Sequence, residues 1–315
     1  DAAMIACGAA RYALARGDRA EAAELWPLVE WCLEYCRRQL TADGVVASDT
    51  DELEGRFPTG DANLCTSTLY YDALLSAVSL GRELGVESAQ TARYAAQARA
   101  LARAIDAHFG GEVGGYDTYR YYAGNTLLRS WICMPLIVGL KERSEGTVRA
   151  LLGPELMTDD GLLTQQGSST FWDRSTLYAL RGIYNVGQAD RATELLHRYS
   201  QRRLLGDHVP YPIEAWPEGS QRHLSAESGL YCRIITEGLF GIRPTGLRSF
   251  DLTPSMPAAW ESMSLRHIRA FGSDFDITVA RVADGRLRIT VARPGAKPKT
   301  YRAAPGATIR VKLTD

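Results

Sequence analysis

The sequence lacks the features that assign a chain quickly to a membrane, nucleic-acid or motif-defined enzyme class. It has no apolar run near the ~20 residues that a membrane-spanning helix requires. Its 36 basic and 37 acidic residues nearly cancel, so charge gives no reason to expect a nucleic acid or an anionic membrane as partner. It has no G-x-S-x-G, Walker, G-x-G-x-x-G or H-E-x-x-H motif and only 5 histidines, which argues against serine-hydrolase, nucleotide-binding and zinc-protease chemistry.

The 6 cysteines predict little special chemistry. Most lie on apolar faces of predicted helices, where a free thiol packs as a small hydrophobe. Cys32 and Cys36 have the spacing of two metal ligands on one helix, but no further Cys or His pair matches them. We therefore predict neither a metal nor a cofactor. The chain starts at Asp1 inside a helical pattern and without an initiator Met, which we interpret as a truncated N-terminus, so the cytoplasm, the periplasm and secretion all stay open.

What the sequence does have is helical periodicity over its first 240 or so residues, with apolar residues recurring every three or four positions. Its connections alternate between short turns and long loops rich in aromatic and acidic residues. That alternation is typical of a barrel of helical hairpins with its long loops at one end. The predicted helical segments are 2–16, 21–40, 63–85, 89–109, 125–140, 145–152, 174–187, 189–200 and 222–240, and the long loops are 41–62, 110–124, 158–173 and 206–221.

The pattern changes near Arg243-Pro244, where residues begin to alternate between apolar and polar with a period of two. The clearest runs are SMSLRHIRAF, DFDITVARV, RLRITVARP and ATIRVKL, and turn signals separate them. We predict a mainly α protein, with a helical domain over residues 1–244 and a small antiparallel β-sandwich over residues 245–315.

The long loops collect the residue types of a sugar site. The stretch SDTDELEGRFPTGD (48–61) alone has five carboxylates beside one arginine. Aromatic faces cover the C–H faces of a pyranose, charged and amide groups bind its hydroxyls, and two carboxyl groups can act as acid and base. The candidates are Asp51, Glu52, Glu54, Asp61, Asp173, Glu214, Glu218 and Glu227 among the carboxylates, and Arg56, Phe57, Tyr122, Asn125, Trp172, Arg174, Trp216 and His223 among the other groups.

Glu214 has the most unusual setting of these residues. It lies in the stretch PIEAWP, where two prolines fix the backbone and an aromatic residue follows two positions later. A carboxylate in this rigid setting beside an aromatic residue indicates a functional role, because an ordinary solvated loop does not require such a setting. Trp172 and Trp216 have a competing interpretation as packing residues at the end of the helices. Glu227 and Glu237 lie within a predicted helix, and for Glu237 capping or a structural ion pair is favoured over chemistry.

The end of the helical region carries a family resemblance. The stretch PIEAWPEG is followed by RHLSAESGLYCRIITEGLFGIRPT and then by FDLTPSMP. This order resembles the six-hairpin glycosidases, most closely the bacterial α-L-rhamnosidases. The resemblance covers essentially all 315 residues as an order of motifs. It implies an (α/α)6 barrel followed by a β-sandwich, and inverting hydrolysis of the glycosidic bond of a terminal sugar, an α-L-rhamnoside or a similar sugar, without a metal.

The resemblance also implies roles for residues. Glu214 matches the general base that activates water, and Trp172 matches a region that lines the sugar pocket. The general acid departs from the pattern, because rhamnosidases carry it upstream of the point that Asp1 matches. Either it lies on a missing N-terminal part, or it lies in the 48–61 loop, where trehalase-like relatives place an Asp near an Arg. Asp51 with Arg56 resembles that arrangement, and Glu52 and Glu54 are competing candidates.

Two physical arguments bear on the acid. Carboxyl groups crowded into one loop raise the pKa of at least one of them, as a proton donor at neutral pH requires. An inverting enzyme would also place its two carboxyl groups ~6.5–9.5 Å apart.

In the helical region we count about nine or ten helices where six hairpins need twelve, so an N-terminal hairpin would be missing. The expected substrate-binding residues are Arg56, Asp61, Tyr122, Asn125, Trp172, Asp173, Trp216 and His223.

Two other functions stay open. A helical-barrel polysaccharide lyase would use Tyr122, His223 and Arg174 around an acidic sugar, although the many carboxylates would repel a uronate. A non-catalytic carbohydrate-binding homologue would need no acid. In each case the expected partner is an oligosaccharide or glycoside.

Overall fold

The computed structural model describes residues 1–51, 55–205, 209–214 and 225–314. Their first part is helical, and nine α-helices occur within these ranges. A 3₁₀ turn, Ser130–Cys133, leads into the fifth helix, and a π-helical segment, Ile234–Leu239, continues the ninth. The helices are α1 (Ala2–Arg16), α2 (Arg19–Arg38), α3 (Leu64–Leu84), α4 (Ser88–Phe109), α5 (Met134–Val138), α6 (Ser144–Leu151), α7 (Asp173–Asn185), α8 (Ala189–Arg203) and α9 (Ser225–Arg233).

Local signals set the ends of the hairpins. Helix α1 ends at Gly17, which has a φ of 73° and therefore adopts the left-handed conformation that favours glycine. The next residue, Asp18, starts α2 by accepting hydrogen bonds from the backbone N–H groups of Ala20 and Glu21. Asn63 caps α3 in the same way by accepting from the N–H of Thr66. The sequence therefore encodes both the short turns and the starts of the helices that follow.

The odd-numbered helices form one continuous row, in which α1 packs on α3, α3 on α5, α5 on α7 and α7 on α9. Helices α2, α4 and α8 each pack beside the odd-numbered helix that precedes them in the chain. All five odd-numbered helices line one cavity of about 560 Å³, so the row curves around it. The long loops precede α3, α5, α7 and α9. This arrangement agrees with a repeat of helical hairpins, while closure into an (α/α)6 barrel stays a prediction.

The predicted helix over 125–140 is wrong in extent. The structure has a turn near Asn125, an extended Arg129, the 3₁₀ turn and then only the five residues of α5. Long-range pairing explains the difference, because Arg129 forms a bridge with Gln165 and donates a hydrogen bond to the carbonyl of Pro58 instead of continuing a helix. Two hairpins also occur where loops were predicted: β1 (Gly110–Val113) with β2 (Tyr116–Tyr119), and β3 (Met157–Thr158) with β4 (Gly161–Leu162).

The C-terminal part forms two antiparallel sheets, with strand orders β10-β9-β8-β7 and β11-β6-β5. Phe250 of one sheet stacks on Phe275 of the other, with ring centroids 5.5 Å apart, so the sheets face each other as in a sandwich. The backbone N–H of Gly272 donates to the carbonyl of Arg16, which joins this part to the α1–α2 turn. The strands are β5 (Ile242–Gly246), β6 (Ser249–Leu252), β7 (Ser262–Ala270), β8 (Ser273–Arg281), β9 (Leu287–Ala292), β10 (Lys299–Ala303) and β11 (Ile309–Lys312).

Strand β5 begins three residues before the boundary predicted at 245, and the division into domains at that point stays a prediction. None of the described helices combines the length and the apolar content needed to span a membrane.

Candidate functional site

The long loops before α3 and α5 are joined by Arg129, whose side chain is fully buried. Its guanidinium group lies 4.3 Å from the ring centroid of Tyr121 and 5.1 Å from that of Phe57, and it donates to the carbonyl of Pro58 at 2.9 Å. Burial lowers the pKa of Arg129. This one residue therefore holds the 48–61 loop against the segment before α5.

The carboxylate of Asp51 lies beside Arg129 and is almost inaccessible, with its side chain 1% exposed. The Tyr121 hydroxyl donates to Asp51 Oδ2 at 2.7 Å, and Arg129 lies 3.5 Å from the same oxygen. Burial, followed by the proximity of Cys65 and Asp51, raises the pKa of Tyr121 well above its usual value, so the phenol keeps its proton and donates. Asn63 fixes the adjacent backbone by donating to the carbonyl of Thr50. Asp51 is thus a carboxylate with a defined orientation.

Trp172 joins the same loop to the start of α7. Its ring is 3% exposed and has two guanidinium neighbours, Arg56 at 5.4 Å and Arg174 at 5.0 Å from the ring centroid. Its buried indole N–H has no hydrogen-bond partner among the described residues. Trp172 therefore packs between two loops, as one of its two predicted interpretations has it, and it also presents an unused donor.

Asp173 begins α7 and is 2% exposed. Its Oδ2 accepts a hydrogen bond from the backbone N–H of Ile213 at 2.7 Å, and its Oδ1 forms an ion pair with Arg203 at 3.1 Å. These contacts attach the segment 209–214, including the partly buried Glu214, to the start of α7. The loop of Asp51 and the segment of Glu214 are therefore both attached to Trp172-Asp173.

Glu227 lies in the first turn of α9 and is 0% exposed. The Nε of Arg174 donates to its Oε1 at 2.8 Å, and a terminal nitrogen of Arg174 forms an ion pair with the same oxygen at 2.6 Å. Both residues line the cavity between the odd-numbered helices. The sequence indicated Glu227 only as one of several loop carboxylates. Glu227 lies near the start of one predicted helix and Arg174 in the first turn of another. That pair of positions was the signal from which their contact could have been predicted.

The other predicted residues have different settings. Asp61 is exposed, and with Asp49 it lines a second cavity of about 750 Å³. Tyr122 is partly buried, and Asn125 is buried and accepts a hydrogen bond from the Tyr121 N–H, which holds the turn that presents both tyrosines. The predicted Glu52, Glu54, Trp216 and His223 lie outside the described residues, as does Glu218.

Deeper in the cavity, two carboxylates and four arginines form an ionic network, of which the sequence indicated only Glu237. Asp72 pairs with Arg11 at 3.0 Å and with Arg243 at 2.6 Å. Burial alone would raise the pKa of Asp72, but these arginines outweigh it and hold the pKa well below its usual range. A charged residue on an otherwise uncharged helix face, such as Asp72 with Leu69 and Leu75 three residues away on either side, was the signal that could have indicated it.

Glu237 is the second carboxylate of this network. It pairs with Arg11 at 2.9 Å, with Arg181 at 3.2 Å and with Arg233 at 2.6 Å. Burial would raise its pKa, but the three guanidinium groups lower it to about 2. Burial, with Arg233 adding to it, lowers the pKa of Arg181 to about 10. The network forms a charged floor below the loops, and Glu237 is the structural ion pair that the sequence favoured.

Across the described ranges, no group of three or more His, Cys, Asp and Glu residues has a metal-binding arrangement. Of the cysteines, five are buried and Cys232 is exposed, and all are free.

No protein-family model and no curated protein sequence matches the chain. Solved structures do. One described as a sialidase matches with a TM-score of 0.71 and 15% identity, over 94% of this chain and 31% of that one. A GH78 family rhamnosidase of Bacillus sp. GL1 matches with a TM-score of 0.59 and 15% identity, over 94% and 31%. An α-L-rhamnosidase of Streptomyces avermitilis, complexed with L-rhamnose, matches with a TM-score of 0.53 and 14% identity, over 96% and 32%.

The chain thus spans about a third of the length of these proteins. At this identity the likeness defines the fold: a helical domain with a β domain, of the kind found in glycoside hydrolases.

Proposed function

We propose that the protein is a glycoside hydrolase that removes a terminal sugar, an α-L-rhamnoside or a similar sugar, with inversion of configuration. One observation carries the proposal: the loop of Asp51 and the segment of Glu214 are both attached to Trp172-Asp173. The next residue, Arg174, lines the cavity of about 560 Å³, a volume in the usual range for small-molecule sites. The glycoside-hydrolase-like fold supports the proposal. In this proposal residues 1–244 form the catalytic (α/α)6 barrel and residues 245–315 the β-sandwich.

The proposed chemistry needs two carboxyl groups. Glu214 takes a proton from a water molecule as that water attacks the anomeric carbon. A second carboxyl group donates a proton to the departing oxygen, so that the sugar leaves with the opposite anomeric configuration. Asp51 is the candidate for this acid that lies among the described residues, and Tyr121 and Arg129 fix its orientation. Glu52 and Glu54 are the alternatives.

Substitution of Glu214 by Gln tests the proposal. The amide keeps the shape of the side chain but cannot accept a proton, so kcat on an aryl glycoside should fall by about 10²–10⁴-fold. Sugar binding should change little. The exposed Glu112 of β1 gives a matched control, because the same substitution there should leave kcat unchanged.

Each alternative function predicts a different result. A binding homologue would bind sugar and hydrolyse nothing, and Glu214→Gln would have no activity to remove. A lyase would release an unsaturated product, which ultraviolet absorbance detects. Either outcome contradicts the proposed hydrolysis.

A further inference from the structure

The cavity between the odd-numbered helices contains a carboxylate oxygen that protein groups leave unsatisfied. Glu227 is 0% exposed, and both the hydrogen bond and the ion pair with Arg174 are made by Oε1. Its other oxygen, Oε2, is equally buried and has no hydrogen-bond partner among the described residues. A buried carboxylate oxygen without a donor carries a desolvation penalty. Such an atom in the wall of a cavity indicates a group that occupies the cavity.

Glu237 shows what a saturated carboxylate looks like in the same cavity. Arg233 donates to its Oε1 at 2.6 Å, and Arg11 and Arg181 donate to its Oε2 at 2.9 and 3.2 Å. Both oxygens are therefore used within the protein. The contrast separates a carboxylate that stabilises the fold from one that keeps an acceptor for something else.

A second unsatisfied atom indicates the chemistry of a ligand that would bind in this cavity. Arg181 also lines the cavity, and its buried Nε–H has no acceptor among the described residues. A ligand carboxylate would accept from Arg181 but would be repelled by Glu227. A ligand ammonium group would donate to Glu227 but would be repelled by Arg181. A hydroxyl both donates and accepts, so a neutral ligand with several hydroxyls satisfies both atoms. The volume of about 560 Å³ lies in the usual range for small-molecule sites.

The position of Glu227 along the helices is also suitable. Arg174 and Arg181 are seven residues apart on α7, which corresponds to about 10 Å along the helix axis. Glu227 and Arg174 therefore lie at the end of the cavity where the long loops join the helices, and the ionic floor lies deeper. Trp172 is in contact with Arg174 at this end.

We propose that Glu227 is a substrate-binding residue: Arg174 fixes its Oε1, and its Oε2 accepts a hydrogen bond from one hydroxyl of the terminal sugar. The inference rests on the proposed function and adds a determinant of specificity to it. Because a hydrogen bond to a charged acceptor is strong, a sugar that lacks this hydroxyl should bind about 10- to 100-fold more weakly.

The test measures the binding of L-rhamnose, L-arabinose and their monodeoxy analogues by isothermal titration calorimetry. The wild-type protein should discriminate against one deoxy analogue by at least about 10-fold. Glu227→Gln should reduce that ratio to within about threefold, since the charged acceptor is lost. Glu237→Gln makes the same chemical change on the saturated carboxylate and should keep the wild-type ratio. A merely structural effect would weaken the parent sugar and its deoxy analogue equally.

Cooperative thermal unfolding checks that each variant is folded. If Glu227→Gln does not fold, Glu227→Asp takes its place, because it keeps the charge but withdraws the carboxylate oxygen from the ligand. A wild-type ratio in the folded Glu227 variant would overturn the inference, and a water molecule would then satisfy Oε2. A wild-type protein that hydrolyses glycosides but discriminates against none of the deoxy analogues would overturn it too, and would leave the proposed function standing. If the wild-type protein neither binds any of these sugars nor hydrolyses any of their aryl glycosides, both proposals fail.

Discussion

At the scale of single residues, the sequence could predict those candidate site residues that have an unusual local setting. It could not predict those that are defined by contacts with residues far away in the chain. Glu214 could be predicted as a candidate site residue because two prolines flank it, and Trp172 because it lies in a long loop directly before a helix. Arg129 and Tyr121 could not, because the partners that define them, Pro58 and Asp51, are 71 and 70 residues away in the chain. A pattern of neighbouring residues contains no information about such pairs.

The acid stability of the protein should depend on Glu237. The pKa of Glu237 is about 2 in the folded state and near 4.5 ordinarily, so its ion pairs stabilise the fold fully above about pH 4.5. This contribution is lost as the pH falls from about 4.5 to about 2. Glu237→Gln should therefore lower the free energy of unfolding at pH 7 by about 3 kcal/mol and flatten its pH dependence across that window.

Urea denaturation at a series of pH values measures both effects. Glu112→Gln, an exposed control, should change the free energy of unfolding at pH 7 by no more than about 0.5 kcal/mol. An unchanged pH dependence in Glu237→Gln would show that the ion pairs of Glu237 contribute nothing to acid stability.

At the scale of elements, capped and periodic helices were predicted closely, and interrupted ones were not. Helix α3 was expected over 63–85 and spans Leu64–Leu84, because Asn63 and Gly85 mark its two ends. The segment 125–140 has apolar periodicity too, yet Pro135 and the long-range contacts of Arg129 restrict its helix to Met134–Val138. Periodicity predicts an element only where tertiary contacts do not compete with it.

The turn between α1 and α2 should be far more sensitive to substitution than the equivalent turn after α3. Gly17 and Gly85 both end a helix with a positive φ, of 73° and 79°. A Cβ at Gly17 would lie 2.2 Å from the backbone nitrogen of Gly272, whereas a Cβ at Gly85 would meet no atom within 4 Å. Gly85→Ala should cost only about 1–2 kcal/mol for the left-handed conformation.

Gly17→Ala should cost several kcal/mol more than Gly85→Ala, because the β7–β8 turn must also move away from the helices. The midpoints of chemical denaturation of the two variants measure the difference. Equal midpoints would mean that this contact between the helices and the sandwich adds no stability.

At the scale of the whole molecule, the sequence predicted a series of helices followed by β-strands but not the two short hairpins β1–β2 and β3–β4. The solved structures agree with the class of fold. The resemblance in PIEAWPEG and the residues after it also indicated a glycosidase. What could not be predicted is how the loops contact one another, since that depends on a few side chains such as Trp172 and Asp173 that attach separate loops to one helix. The distance between the two proposed catalytic carboxyl groups is a property of the same kind.

The most direct test of the account is the stereochemistry of hydrolysis. Proton NMR of the first product formed from p-nitrophenyl α-L-rhamnoside, and from a panel of related aryl glycosides, reports the anomeric configuration before mutarotation mixes it. A water molecule activated by Glu214 attacks opposite the leaving group, so the product should have the inverted configuration and should not form with Glu214→Gln. A product of retained configuration, or no hydrolysis of any glycoside in the panel, would contradict it.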